Sequence, residues 1–299
     1  MEIAENDIIF KRWGFVDSIN PNSEPYLQKL EIAMAEFYNQ QAIIQDYWII
    51  AQSGNEQWKP QTHPYHCHLE RLVEQQSTVI DFGCGSAHPI ENLKHKNIQY
   101  IGIEWSSKQV EINSHKYPES NFICGNITSD HGLDEKADWA VSFFALEHCV
   151  RPHILLKRMF DSIKPAGKLA LICPNFIQGM NSIRSGWRAT SKKSKLRNSH
   201  YLDALLSYYQ EKFVIPKQVH QIHQSSMKFP VYLYPRCLEA PYYSDNDAVY
   251  LSNEDKVADY FIQLGGEVLY SSKFLNQNIE DKESNMQEGN TLYLVIQKN

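Results

Sequence analysis

The sequence predicts an α/β fold built on a doubly wound, mostly parallel sheet, and three observations support this class. Apolar runs of strand length alternate with helix-length segments between residues 77 and 175. The first run ends in an acid and two closely spaced glycines, and the second run ends in another acid. Such a turn lets a ligand approach the main chain at the edge of an open sheet.

The first core strand is predicted at Thr78–Ile80, followed by Asp81, Gly83 and Gly85. The second ends on Glu104, where an acid is placed to accept hydrogen bonds from two ribose hydroxyls. Three more core strands are predicted at 122–124, 139–144 and 168–172. The strand that begins at Phe122 is followed by Gly125-Asn126, and the strand that begins at Trp139 is followed by Ala145–His148. The turn Lys164–Gly167 precedes the last strand, which ends at Ile172.

The segments around this core are predicted from periodicity. Residues 1–76 look mostly helical, with a helix start at Ser23-Glu24-Pro25. Its apolar face carries Leu27, Leu30, Met34 and Phe37, and Tyr47 to Ile50 continue it. Such a helix either covers a ligand site or simply packs on the sheet.

The insertion at residues 176–250 separates the fifth core strand from the next helix. It holds a basic stretch and a tyrosine-rich part. The following helix is predicted to start with Ser252 as its capping residue and to end at Gly265-Gly266. Strands at 267–270 and 291–296 follow, with a polar loop between them.

Composition restricts the class of protein. The net charge of −6 argues against a nucleic-acid-binding protein, since phosphate binding needs a basic face. The sequence contains no apolar stretch of about 20 residues, so no membrane span is predicted. The six scattered cysteines and the acidic N-terminus, which lacks the pattern of a signal peptide, predict a cytoplasmic protein with reduced thiols.

These motifs together resemble the class I S-adenosylmethionine-dependent methyltransferases, most closely those of type 11 or 12. The residues that carry the resemblance are Val79–Ala87, Glu104, Gly125-Asn126, Phe144–His148 and Lys164–Gly167. A dinucleotide-binding domain is the main competitor, but its third glycine would fall on His88.

The resemblance implies a Rossmann-like seven-stranded sheet of five parallel strands and a terminal antiparallel hairpin. It divides the chain into a helical extension or cap at 1–76 and a methyltransferase domain at 77–299, with 176–250 as a substrate-pocket insertion. The implied cofactor is S-adenosylmethionine, with S-adenosylhomocysteine as product.

The same resemblance assigns the cofactor-binding residues. Asp81 would orient the turn and the amino end of the cofactor, and Glu104 would take the ribose hydroxyls. Trp105 either stacks on adenine or packs at a helix start. The other residues assigned to the cofactor are Gly83, Cys84, Gly85, Asn126, Ile127, Phe144 and Ala145.

Catalysis and acceptor binding are assigned to residues near the fourth core strand and in the insertion. Methyl transfer is an in-line displacement, so a base is needed only if the acceptor must lose a proton. His148 is the best-placed base, with Glu147 beside it, although both could serve packing alone. Asp247, Tyr250 and Arg184 are the candidate substrate residues.

A metal is not expected. The cluster His63-Pro64-Tyr65-His66-Cys67-His68 lacks the paired-cysteine spacing of zinc sites and is interpreted as a surface loop or pocket rim.

Three functions remain open. The first is O- or N-methylation of a small organic acceptor in specialised metabolism, by a monomer or homodimer. The second is methylation of tRNA, rRNA or a peptide, with the basic residues between 184 and 197 as the phosphate contact. The third is a non-catalytic binding protein on the same fold.

Overall fold

A computed structural model of the chain describes residues 13–43, 64–132, 136–176, 201–209, 213–239, 247–272 and 291–299. The strands are β1 (Phe15–Asp17), β2 (Thr78–Phe82), β3 (Gln99–Glu104), β4 (Asn121–Cys124), β5 (Ala137–Phe143), β6 (Ile163–Pro174), β7 (Pro230–Tyr232), β8 (Gly266–Ser271) and β9 (Thr291–Lys298). The helices are α1 (Glu24–Ile43), α2 (Pro64–Leu72), α3 (His88–Leu93), α4 (Ser107–Lys116), α5 (Pro152–Ser162), α6 (Tyr201–Tyr209), α7 (Ile215–Gln224) and α8 (Glu254–Gln263).

The main sheet confirms the predicted fold class. Its seven strands lie in the order β4-β3-β2-β5-β6-β9-β8. The five strands from β4 to β6 are parallel, whereas β9 runs antiparallel to both β6 and β8. The strand order reverses at β2, which has β3 on one side and β5 on the other. A ligand crevice is therefore expected at the carboxyl end of β2.

Strand β2 is a continuous apolar run because both of its faces are covered. Val79, Ile80 and Phe82 are fully buried. Ile80 and Phe82 belong to one hydrophobic cluster and Val79 to another, so the two faces contact different layers.

Helix α1 begins at Glu24, which confirms the predicted start. Its apolar stripe packs into the same cluster as Ile80 and Phe82 and consists of Leu27, Leu30, Met34 and Phe37. The helix therefore lies against one face of the sheet. The proposed boundary between residues 76 and 77 stays a prediction.

A second, two-stranded sheet was not predicted from the sequence. Strand β1 pairs antiparallel with β7, with Phe15 opposite Tyr232 and Val16 opposite Val231. The Asp17 carboxylate accepts from the amides of Lys228 at 2.8 Å and Phe229 at 3.1 Å. The N-terminal segment is thus tied to the insertion at 176–250.

The predicted cap of helix α8 was wrong. Asn253 is the capping residue, and its side chain accepts from the Lys256 amide at 3.2 Å. The Ser252 hydroxyl instead donates to the carbonyl of Pro174. Gly265 ends the helix as predicted, with a left-handed φ of +91°.

The expectation of a surface loop at residues 63–68 was also wrong for the part that the structure describes, whereas the alternative of a pocket rim stays a prediction. Pro64–Leu72 is a helix in which Tyr65, His66 and Leu69 are buried. His68 Nδ1 lies 2.8 Å from the Tyr293 hydroxyl. Among the described residues, no three His, Cys, Asp or Glu side chains come together as potential metal ligands.

Several predicted features lie outside the described residues. They are His63, the stretch from Tyr47 to Ile50, the basic stretch at 184–197 and the polar loop at 276–290. Within the described part of the chain, every helix is too short or too polar to cross a membrane.

Candidate cofactor and acceptor site

The turn after β2 needs backbone conformations that glycine adopts without strain. Gly83 has φ +77° and Gly85 has φ +48°, both in the left-handed region. The amides of Gly83 and Cys84 donate to the carbonyl of Ile103 at 2.9 and 3.0 Å, which fixes the turn against β3. A Cβ at Gly83 would lie 2.5 Å from the Cβ of Ala145. The turn therefore abuts the residue that follows β5.

Glu104, at the end of β3, is bonded to this turn. Its Oε2 accepts from the Gly85 amide at 3.0 Å, and its Oε1 accepts from the Ser106 amide at 2.9 Å. The side chain is 8% exposed. Burial raises the pKa of the Glu104 carboxyl, although the bonds from Ser106 and Gly85 oppose that shift. The Trp105 amide also bonds this carboxylate, and with about four lone-pair sites the group keeps acceptor capacity for a ligand.

Two further residues hold the turn and were missed by sequence reasoning. Asn113 Nδ2 donates to the Gly85 carbonyl at 2.7 Å, and Gln109 Nε2 donates to Asn113 Oδ1 at 2.8 Å. Both side chains are buried. The available signal was their spacing of four residues, which places two amides on one face of helix α4.

Asp81 is a buried acid in strand β2. Its Oδ2 accepts from the Tyr100 hydroxyl at 2.5 Å, whereas Oδ1 has no hydrogen-bond partner among the described residues. Burial raises the pKa of Asp81 to about 7; the Tyr100 hydroxyl lowers it and the charge of Glu104 raises it further. Asp81 is therefore placed to receive a cationic group that would restore its ionised form.

We expect Asp81 to make stability depend on pH. Its pKa of about 7, against an ordinary value of 3.8, means that the folded protein keeps a proton that the unfolded chain releases. The free energy of unfolding should then fall by about 2 kcal/mol from about pH 5 to pH 7. Asp81→Asn, whose amide oxygen can still accept from Tyr100, should remove this slope in urea unfolding. Parallel pH profiles for the two proteins would rule this out.

The residues assigned to adenine lie around the ends of β3 and β4. Trp105 and Ile127 are both half-buried. Ile127 Cδ1 lies 4.0 Å from the Cβ position of Gly83, so it reaches the glycine turn. The Asn126 amide oxygen accepts from both the amide and the hydroxyl of Thr128 at 2.9 Å.

Helix α1 brings the carboxylate of Glu31 next to Asn126, a contact that the sequence did not reveal. Glu31 Oε1 accepts from Asn126 Nδ2 at 2.8 Å, and Glu31 Oε2 accepts from Arg151 Nε at 3.0 Å. Arg151 also donates two hydrogen bonds to Glu24, at 2.6 and 2.8 Å. No local pattern could have indicated this contact, because Glu31 and Asn126 are 95 positions apart.

Phe144 and Ala145 lie where β5 ends. Phe144 has a left-handed φ of +52°, which is uncommon for a residue other than glycine. Its amide donates to the Ile172 carbonyl at 2.7 Å. The bend directs the chain across the glycine turn, so that Ala145 meets Gly83.

His148 ends the short 3-10 helix (Leu146–His148) that follows β5, and its ring faces two buried carboxylates. Its Nδ1 is 3.4 Å from Asp247 Oδ2, and its Nε2 is 3.7 Å from Glu147 Oε1. The Tyr38 hydroxyl, from helix α1, donates to Asp247 Oδ2 at 2.7 Å. The structure thus brings together three predicted site residues and adds Tyr38, which sequence reasoning missed. Tyr38 and Asp247 are 209 positions apart.

The remaining acceptor candidates do not join this group. Tyr250 is fully buried and its ring packs at 6.0 Å from that of Phe229. Its amide, with that of Val249, donates to the Glu147 carbonyl at 2.9 and 2.8 Å, which anchors the segment that carries Asp247. Arg184 lies outside the described residues.

Comparison with known proteins gives one family. Residues 80–171 match the methyltransferase domain family. Protein 235L of Invertebrate iridescent virus 6, named as a methyltransferase, is 28% identical over 35% of this chain and 40% of its own. A demethylmenaquinone methyltransferase of Paenarthrobacter aurescens is 23% identical over 33% of this chain and 39% of its own. The chain therefore spans about 40% of the length of these curated relatives.

Among solved structures, the PH0226 protein of Pyrococcus horikoshii has the same fold. It aligns with a TM-score of 0.50 and 12% identity, over 84% of this chain and 95% of its own.

Proposed function

We propose that this chain, whose residues 80–171 match the methyltransferase domain family, is a class I S-adenosylmethionine-dependent methyltransferase that transfers a methyl group to an oxygen or nitrogen of a small organic acceptor. The observation that carries the proposal is the bond from the Gly85 amide to Glu104 at 3.0 Å. It joins the glycine turn of β2 to the acid of β3 at the point where the strand order reverses, so both can contact one ligand.

The residues present fit S-adenosylmethionine. Gly83 leaves room where a side chain would clash with Ala145, and Asp81 offers a buried oxygen without a partner among the described residues. Glu104 would bind the ribose, and Asp81 would act toward the amino end of the cofactor. When bound, S-adenosylmethionine supplies an electrophilic methyl carbon, and its sulfur keeps the electrons of the broken carbon–sulfur bond.

The chain's own contribution to the chemistry is orientation and proton removal. A neutral imidazole accepts protons near pH 7, which suits His148 to proton removal. Its Nδ1 lies 3.4 Å from Asp247 Oδ2 and its Nε2 lies 3.7 Å from Glu147 Oε1, so both carboxylates would stabilise the imidazolium that forms. His148 would then take the proton that the acceptor must lose, and Ala145 and Phe144 would line the space beside the methyl group.

A test of the proposal is Glu104→Ala. Because a hydrogen bond to a charged group contributes about 1.5–3 kcal/mol, affinity for S-adenosylhomocysteine should fall roughly 10- to 150-fold. The measurement is isothermal titration of the wild type and the variant, each checked for folding by urea unfolding. Unchanged affinity would remove Glu104 from the site.

Glu254→Ala is the matched control for this loss. Glu254 is another buried carboxylate, at 1% exposure, and it accepts from the Ser272 amide at 3.2 Å. Its removal should destabilise the fold through the same loss of backbone bonding while leaving cofactor affinity unchanged.

A macromolecular acceptor is the second candidate, favoured by six basic residues between 184 and 197. A phosphate backbone would make binding weaken steeply as salt rises, whereas a small neutral acceptor would not. Filter binding of total tRNA between low and physiological salt separates the two. Salt-sensitive binding would favour the RNA acceptor.

A further inference from the structure

The group formed by Tyr38, Glu147, His148 and Asp247 concentrates negative charge beside the end of β5. Asp247 is 1% exposed and Glu147 is 4% exposed. Both carboxylates lie within 4 Å of the same imidazole. A buried carboxylate costs free energy unless a cation or several donors compensate it.

The neighbouring guanidinium does not serve as this cation. Arg151 follows His148 by three positions, but Nε, Nη1 and Nη2 of its guanidinium each donate to Glu24 or Glu31. Asp247 Oδ2 accepts from Tyr38, while Asp247 Oδ1 is buried and has no hydrogen-bond partner among the described residues. Among the residues that the structure describes, one oxygen of this buried acid is thus left for a ligand.

Tyr38, whose hydroxyl bonds Asp247, packs near two other rings. The ring centroid of Tyr38 lies 6.1 Å from that of Trp105 and 6.4 Å from that of His148. Aromatic faces attract cations, especially when the cation is desolvated. Carboxylates and aromatic rings together favour a positively charged ligand over a carboxylate or phosphate, which the two acids would repel.

We propose that the acceptor is an amine that enters as its ammonium ion, and that Asp247 and Tyr38 form the subsite that recognises it. This inference rests on the proposed function and narrows it to N-methylation. Asp247 Oδ1 accepts a hydrogen bond from the ammonium, and the Tyr38 hydroxyl, by donating to Oδ2, holds the carboxylate in place.

The transfer step balances without any further reactant. The ammonium gives one proton to His148, and the nitrogen lone pair so released forms the bond to the methyl carbon. The carbon–sulfur bond of S-adenosylmethionine breaks at the same time and its electrons stay on sulfur. The nitrogen bears the positive charge after transfer, and the proton passes from His148 to solvent.

The test is isothermal titration of the protein saturated with S-adenosylhomocysteine. The ligands are phenethylamine and 3-phenylpropionate, which have similar shape and opposite charge, at up to ~10 mM. We expect the amine to bind at least about tenfold more tightly than the acid. Asp247→Asn, which can still accept from Tyr38, should abolish that preference and leave S-adenosylhomocysteine affinity unchanged.

Asp130→Asn is the control for charge alone, because the Asp130 side chain is 92% exposed. It should keep the preference for the amine. Equal binding of the two ligands, preference for the acid, or binding of neither overturns the inference. So does an Asp247→Asn variant that keeps the preference.

Different titrations test the proposed methyltransferase function and the proposed amine subsite. If the wild type does not bind S-adenosylhomocysteine, the proposed function fails and this inference fails with it. If S-adenosylhomocysteine binds but Asp247→Asn weakens that binding about tenfold or more, Asp247 belongs to the cofactor site and only this inference is overturned.

Discussion

Gly83→Ala is expected to destabilise the folded protein by about 3–5 kcal/mol and to abolish binding of S-adenosylmethionine. Two costs add at this position. A φ of +77° disfavours any residue with a Cβ, by about 1–2 kcal/mol. The new Cβ would also lie 2.5 Å from the Cβ of Ala145, so the turn or the end of β5 must move. The measurements are urea unfolding and calorimetric titration.

Gly265→Ala separates the two costs. Gly265 has φ +91° at the end of helix α8, and no atom of the described residues lies within 4 Å of its Cβ position. This variant should lose only about 1–2 kcal/mol and should bind the cofactor normally. The contrary result is that Gly83→Ala is no more destabilising than Gly265→Ala and binds the cofactor equally well. That result would show that the close approach of the turn to Ala145 affects neither stability nor cofactor binding.

His148→Ala is expected to slow methyl transfer by about 100-fold or more, because general-base catalysis commonly contributes at least that factor. Cofactor affinity should change little. The glycine turn contacts Ala145, whereas the side chain of His148 faces Asp247 and Glu147. The measurements are turnover across a pH series and titration with S-adenosylhomocysteine.

His153→Ala is the control for loss of an imidazole near this segment. His153 lies in helix α5, where its Nδ1 is 2.9 Å from the Ser18 hydroxyl. The His153→Ala variant should keep the wild-type rate of methyl transfer and its pH dependence. If His148→Ala also kept the wild-type rate and pH profile, His148 would be structural, and proton removal would fall to another group or to solvent.

The core of the fold could be predicted because its signals are local. Each core strand is a short apolar run, and each ends in residues that share the carboxyl edge of the sheet. Asp81, Glu104 and His148 could therefore be placed at this edge without knowledge of their partners, and their roles stay predictions. The bond from Gly85 to Glu104 follows from the same register, since β2 and β3 are adjacent and parallel.

The contacts that complete the candidate site could not be predicted, since they join distant segments. Tyr38 and Glu31 reach the site only because helix α1 packs its apolar stripe on the sheet, which leaves its polar residues beside Asp247 and Asn126. The β1–β7 pairing joins the N-terminal segment to the insertion for the same reason. Sequence spacing carries no information on such contacts.

One error was avoidable. The alternation of histidine and cysteine at 63–68 was interpreted as a loop, yet Tyr65, Leu69 and Val73 recur every four residues and are all buried. That spacing is typical of a helix. The cap of helix α8 was harder to place, because Ser252 and Asn253 are both favoured capping residues and stand next to each other.

Isothermal titration of the wild-type protein with S-adenosylmethionine, and separately with S-adenosylhomocysteine, tests the central claim most directly. We predict that both bind with micromolar dissociation constants, which correspond to about −8 kcal/mol. Absence of binding by either would contradict the assignment of Asp81, the glycine turn and Glu104 to a cofactor site.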